Sequence, residues 1–166
     1  MTNKSTPIRL RYLLPAILYL IFPVANAQVR SMTAIKTNQP IKIDGNLNDA
    51  AWKDIEPSGD FITSSPVFGK TSAHKTEVRI TYDNTAIYIG AYMYDKPENI
   101  RKQITARDMI DRQDVDYFVV GFDTYHDRQN AFVFRVTAAG VQGDAKESNG
   151  GAVFDQTWDA VWESNA

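Results

Sequence analysis

The segment from residue 77 to residue 94 constrains the fold more than any other part of this chain. Residues 77–82 alternate polar and apolar side chains, residues 83–85 are typical turn formers, and residues 86–94 continue the β pattern. This arrangement predicts a β-hairpin. Because bulky side chains lie on both faces of its second strand, we expect that strand to be central in its sheet.

Further short strands are predicted on both sides of the hairpin, at residues 41–43, 115–122, 131–136 and 158–163. The run at 115–122 is nearly all apolar, which is typical of a buried strand. Residues 28–39 are predicted to be a loose lead-in. Residues 144–155 are rich in Gly, Asn, Ser and acidic residues and are predicted to be a mobile loop. Short strands between turn clusters indicate an all-β fold, an antiparallel β-sandwich of jelly-roll type over residues 40–166.

A tight turn and one helical turn are predicted ahead of the hairpin. Asp44 and Gly45 favour the turn because Gly adopts a positive φ without steric cost and Asp bonds to its own backbone. We expect Asn48 or Asp49 to cap the short helix. Trp52 is expected to face inwards from that helix and to close one end of the sandwich.

The N-terminus has the three parts of an export signal. Three basic residues precede an apolar run over residues 12–24, and residues 25–27 (Ala-Asn-Ala) fit a cleavage site. The 13-residue run is shorter than the roughly 20 residues that span a bilayer. We therefore expect residues 1–27 to be a signal peptide, and the mature protein to be exported without a membrane anchor to the periplasm, the outer membrane surface or the medium.

Charge and cysteine content exclude several classes of function. Without the three basic residues of the signal, 15 of the 18 Lys and Arg remain against 20 acidic residues, a formal charge of −5. An acidic protein of this kind is not expected to bind nucleic acid, whose phosphates require clustered Lys and Arg. The chain contains no cysteine, which excludes thiol catalysis and thiolate metal sites.

No catalytic motif is present in the sequence. There are two histidines, His74 and His126, and neither belongs to a His-Glu-x-x-His motif. A Gly-x-Ser-x-Gly nucleophile elbow and a Gly-rich phosphate loop are also missing. Acidic residues could form a glycosidase pair, but most acids are solvated surface groups. We therefore predict a protein that is not an enzyme.

Aspartates flank the strand predicted at residues 115–122. Asp114 precedes it, and Asp123 and Asp127 follow it. Hard oxygen ligands on loops suit a structural Ca²⁺ ion. Asp is equally common as a turn former, and nearby arginines could pair with these acids. The sequence leaves both interpretations open.

Aromatic side chains are the candidate ligand contacts. Trp158, Trp162 and Tyr125 could each stack on the C–H face of a pyranose, while Arg128 and Asn130 bond its hydroxyl groups. The two tryptophans could equally fill the core. Tyr125 lies in a predicted loop and is better placed as a platform.

Several motifs together resemble the family 9 carbohydrate-binding modules. They are residues 43–52, 82–89, 107–108, 122–131, 141–144 and 158–163. The chain resembles more closely the N-terminal module of long exported proteins of Bacteroidota-type bacteria with an uncharacterised C-terminal domain. The resemblance implies a β-sandwich that binds glycans, often with structural calcium. Characterised members hold a sugar between two Trp rings, and Trp158 is the nearest positional candidate here.

The leading hypothesis is a non-catalytic carbohydrate-binding domain linked to carbohydrate catabolism, with a glycan or polysaccharide as its partner. Because the chain ends directly after its last predicted strand, we expect an incomplete sandwich and a larger C-terminal domain in a longer protein. One alternative is a structural or docking domain that packs against that region. Another is a fragment of a glycoside hydrolase whose catalytic part lies elsewhere.

Overall fold

A computed structural model describes residues 31–110 and 114–166, and every structural statement here concerns those residues. The predicted signal peptide (residues 1–27) lies outside them. The described residues form two antiparallel-rich sheets and one short α-helix, which confirms the all-β sandwich class predicted from the sequence. In the described part, no helix is long and apolar enough to cross a membrane.

The elements in chain order are β1 (Ile35–Lys36), α1 (Ala50–Lys53), β2 (Thr76–Tyr82), β3 (Ile87–Met93), a 3₁₀ turn (Pro97–Asn99), β4 (Tyr117–Phe122), β5 (Ala131–Thr137), β6 (Gln142–Ser148) and β7 (Val153–Asp155). The first sheet has the order β1-β2-β3 and the second β4-β5-β6-β7. β1 pairs with β2 in parallel, and the other neighbours are antiparallel.

The predicted hairpin forms as β2 and β3, with Ile80 opposite Ile89. Asp83 fixes its turn by accepting hydrogen bonds from the Thr85 hydroxyl and from the amides of Thr85 and Ala86. These bonds, the Thr85 hydroxyl foremost, hold the pKa of Asp83 well below its ordinary value. The central position predicted for the second strand is wrong, because β3 pairs with β2 alone among the described residues.

The helical turn α1 forms where it is predicted, and its Trp52 is buried; we call residues 47–53 the plug. Leu47 and Trp52 occupy the space beside Gly90 of β3, where a Cβ would lie 2.5 Å from Leu47. Asp49 is the N-cap residue, but its carboxylate accepts the Lys42 amide (3.0 Å) instead of capping the helix. That bond takes the Lys42 amide away from any sheet, so the strand predicted at residues 41–43 does not form.

The first sheet begins within the segment predicted to be a loose lead-in. Ile35 and Lys36 pair with Thr81 and Tyr82 of β2. The buried Thr81 hydroxyl donates to the carbonyl of Ile35 (2.6 Å). Part of residues 28–39 therefore belongs to the sheet, and residues 28–30 lie outside the described residues.

In the second sheet, the predicted pair of strands forms as β4 and β5. The prediction of a fully buried strand at 115–122 is wrong, because alternate β4 side chains (Tyr117 and Val119) are exposed. Their neighbours Phe118 and Val120 are half-buried on the opposite face. β4 therefore has one apolar face toward the protein and one toward solvent.

The mobile loop predicted at residues 144–155 is wrong, because most of it forms β6 and β7. β6 pairs with β5 from Gln142 to Glu147, and the turn between β6 and β7 uses positive φ at residues 149–151. Residue composition suggested a loop, but long-range pairing with the apolar β5 strand decides the conformation.

We expect Gly143→Ala to lower the free energy of unfolding by about 1–3 kcal/mol, measured by urea denaturation. The added Cβ would lie 2.9 Å from Cδ1 of Ile110, which is fully buried. Gly121→Ala in the same sheet is the matched control, since no atom lies within 4 Å of that Cβ position. Equal losses in both variants would contradict this packing.

Candidate functional site

An open groove of about 400 Å³ lies at one end of the second sheet. It is lined by Thr124, Tyr125, Asn130, Ala131, Phe132, Lys146, Glu147, Ser148, Val153 and Asp155. The turn between β4 and β5 and the turn between β6 and β7 flank it, and the Gly150 amide donates to the carbonyl of Gln129 (3.0 Å) to join them. Its volume lies in the range of small-molecule sites, roughly 300–1,000 Å³.

The turn between β4 and β5 is organised by two aspartates. Asp123 accepts the amides of Asp127 (3.1 Å) and Arg128 (2.8 Å). Asp127 accepts the amides of Gln129 (2.8 Å) and Asn130 (2.9 Å). The side-chain amide of Asn130 also donates to Asp127 (2.7 Å) and is the main cause that lowers the pKa of that carboxyl. The turn thereby holds Asn130 at the mouth of the groove.

The groove combines aromatic rings with hydrogen-bonding groups. Tyr125 is 72% exposed, so the faces of its ring are available to a ligand. Lys146 Nζ lies 5.8 Å from the centre of the Phe132 ring. Glu147 and Ser148 add an acceptor and a hydroxyl group. Such a surface can stack an apolar face and bond polar groups at its rim.

The structure brings together some of the predicted ligand residues and not others. Tyr125 and Asn130 line the groove. Trp158 is not among the lining residues, but its ring centre lies 4.9 Å from that of Phe132, which lines the groove. Trp162 packs elsewhere, against Phe134 at 5.2 Å. Arg128 belongs to the turn but is not among the lining residues.

Sequence reasoning missed the contribution of β6 to the groove, namely Lys146, Glu147 and Ser148. The composition of residues 144–155, rich in Gly, Asn, Ser and acidic residues, predicts a loop, and β6 lacks the β-branched and aromatic residues typical of strands. The alternation of Gly143 and Ala145 with polar residues was the available signal. The register with β5, which places Lys146 opposite Phe132, is a long-range feature.

The acidic residues considered for calcium have other partners. Asp123 and Asp127 bind turn amides, as the turn-forming interpretation holds, and Asp114 pairs with Arg101 at 2.5 Å. In residues 31–110 and 114–166, no three His, Cys, Asp or Glu side chains are grouped as metal ligands. Calcium binding stays a prediction.

A buried carboxylate, Asp144 on β6, lies outside the groove. Its Oδ2 accepts hydrogen bonds from Arg107 (2.6 Å) and from the indole of Trp162 (2.8 Å). Its Oδ1 is buried and has no hydrogen-bond partner in the described part of the chain. Arg107 also bonds Gln142 (2.7 Å) and Asp159 (2.9 Å). A buried carboxylate is unfavourable without a cationic partner, so the fold depends on Arg107 lying beside Asp144.

This network fastens the C-terminal strap, which we define as residues 158–166. The strand predicted at 158–163 is wrong, since these residues, all of them described, pair with no strand. The side chains still alternate, because Trp158 and Trp162 face the sheet while Asp159 and Val161 face solvent. The Gln142 side chain donates to the carbonyl of Trp162 (3.2 Å).

The strap completes an aromatic cluster on one face of the second sheet. Its members are Phe122, Phe132, Phe134, Trp158 and Trp162, with ring centres 4.9–6.0 Å apart. Edge-to-face and tilted contacts at such distances are favourable. The two tryptophans are therefore partly core residues, and Trp158 contacts Phe132, which lines the groove.

We expect Arg107→Gln to lower the free energy of unfolding by about 2 kcal/mol, because Asp144 would stay buried without its cationic partner. Tryptophan fluorescence during thermal unfolding would report the loss of stability, since the Trp162 indole also donates a hydrogen bond to Asp144. Arg101→Gln serves as the control, because Arg101 pairs with Asp114 and Asp116 at the surface and should matter little. A larger effect from the control would refute this assignment.

Comparisons with protein-family models, curated proteins and solved structures find no match to this chain.

Proposed function

We propose that this protein is a non-catalytic carbohydrate-binding domain of an exported bacterial protein, linked to carbohydrate catabolism. The observation that carries the proposal is the exposed Tyr125 ring in a groove that also presents Lys146 and Glu147. The groove is the proposed glycan site.

A pyranose ring has an apolar C–H face and a rim of hydroxyl groups. The Tyr125 ring can stack on that face, an interaction of about 0.5–1.5 kcal/mol by analogy with aromatic pairs. Lys146 can donate to the hydroxyl oxygens, and Glu147 can accept from the hydroxyl groups. Asp155 also lines the groove, and the Thr157 hydroxyl donates a hydrogen bond to its carboxylate. This bond lowers the pKa of Asp155, so the carboxylate stays ionised at neutral pH.

A docking domain is the second candidate, and one observation favours it. Trp158 and Trp162 pack half-buried against Phe132 and Phe134, whereas a sugar clamp needs two exposed rings. On this proposal, apolar side chains exposed on the edge strands β3 and β4 would contact a further domain. Any glycoside hydrolase activity would then belong to that domain.

The test is affinity electrophoresis of the purified protein in gels that contain xylan, hydroxyethyl cellulose, glucomannan or starch. We expect retardation by at least one polymer, and we expect Tyr125→Ala to weaken binding about three- to tenfold through the lost stacking contact. Phe68→Ala is the matched control, since Phe68 is an exposed loop aromatic (80%) outside the groove.

Two results would count against glycan binding in the groove. One is migration unaffected by any polymer, which would leave the docking candidate as the better account. The other is retardation that Tyr125→Ala and Phe68→Ala reduce equally.

A further inference from the structure

The first sheet carries a pair of exposed tyrosines that is separate from the groove. Tyr92 is 56% and Tyr94 43% exposed. Their ring centres lie 4.5 Å apart and their planes are tilted by 50°. Large aromatic side chains are usually at least partly buried, so two adjacent exposed rings are informative.

The strand pattern explains why the rings lie together. Tyr92 lies in β3 and Tyr94 follows directly after it, and residues two apart in an extended chain project to the same side. On that face Glu77 of β2 lies opposite Tyr92, and the Tyr94 amide donates to the carbonyl of Lys75 (2.9 Å). Gly90 shares this face and is covered by the plug, so the exposed surface begins at Tyr92.

Charged groups border the two rings. Lys75 Nζ lies 2.5 Å from Glu77 and 5.2 Å from the centre of the Tyr94 ring. The Tyr94 hydroxyl donates to the other Glu77 oxygen (3.3 Å). The hydrogen bond from Lys75 lowers the pKa of Glu77, so that carboxylate accepts hydrogen bonds at neutral pH. The Lys75 ammonium group and the Glu77 carboxylate thus lie at the edge of the two tilted tyrosine rings.

We propose that the Tyr92–Tyr94 pair is a second carbohydrate site, which stacks a pyranose ring while Lys75 and Glu77 bond its hydroxyl groups. The combination of ring faces with donors and acceptors at their edge matches the two surfaces of a sugar. This proposal rests on the proposed function for its ligand class, but it concerns a different sheet and different residues.

A second site would change how the protein binds polymers. A chain long enough to contact both sites would bind more tightly than an oligosaccharide that fills one, because the second contact is intramolecular. Loss of the tyrosine pair would then weaken retention on a polysaccharide even with an intact groove.

The test is a titration of the ¹⁵N-labelled purified protein with cellohexaose, xylohexaose, mannohexaose and maltohexaose, followed by NMR. We expect at least one sugar to shift the amide signals of residues 75–77 and 92–94. Tyr92→Ala and Tyr94→Ala should each raise the Kd at this site at least threefold. Tyr117→Ala is the matched control, because Tyr117 is equally exposed (43%) but lies beside Arg135 on the second sheet.

The outcomes separate the two proposals. Shifts confined to residues 124–130 and 146–148 would overturn the second site and leave the groove. Shifts confined to the tyrosine pair would support the second site and count against the groove. No shift with any sugar would overturn both. If an alanine variant unfolds, Glu77→Gln keeps both rings, and an unchanged Kd at this site would count against the proposed rim.

Discussion

The buried carboxylate of Asp144 is the interaction on which the second sheet depends. Arg107 and the Trp162 indole share one of its oxygens, and Arg107 continues to Asp159 on the strap. Segments far apart in sequence are thus joined at one carboxyl group. A charge buried in this way stabilises a fold only while its partners stay in place, so the network specifies where the strap lies.

The position of the strap determines what the aromatic residues do. The Trp162 indole is hydrogen-bonded to Asp144, and Trp158 on the same strap lies against Phe132, which lines the groove. The aromatic cluster therefore acts as support, and recognition is left to Tyr125 on its ordered turn. The far end of the strap reaches the turn ahead of α1, where the carbonyl carbon of Ala166 lies 3.5 Å from the Cβ position at Gly45.

Local features of the sequence predicted much of this fold. The hairpin and the plug follow from strand alternation and turn chemistry within short segments, and Tyr125 and Asn130 follow from a turn motif. Pairing between segments that lie far apart in the chain could not be predicted from local sequence patterns. It decides that β6 is a strand, that β3 is an edge strand in the described part, and that residues 158–163 are a strap. For this reason the sequence predicts only part of the groove. It predicts Tyr125 and Asn130, but Lys146 joins them through the strand register that places it opposite Phe132.

The central claim is that the folded protein binds a glycan, and thermal unfolding with and without a panel of soluble glycans tests it most directly. A ligand that binds only the folded state raises its stability, by about 1.4 kcal/mol at ten times the Kd. We predict one cooperative transition whose midpoint rises by about 5 °C with at least one glycan. A cooperative transition that no glycan shifts would contradict the claim.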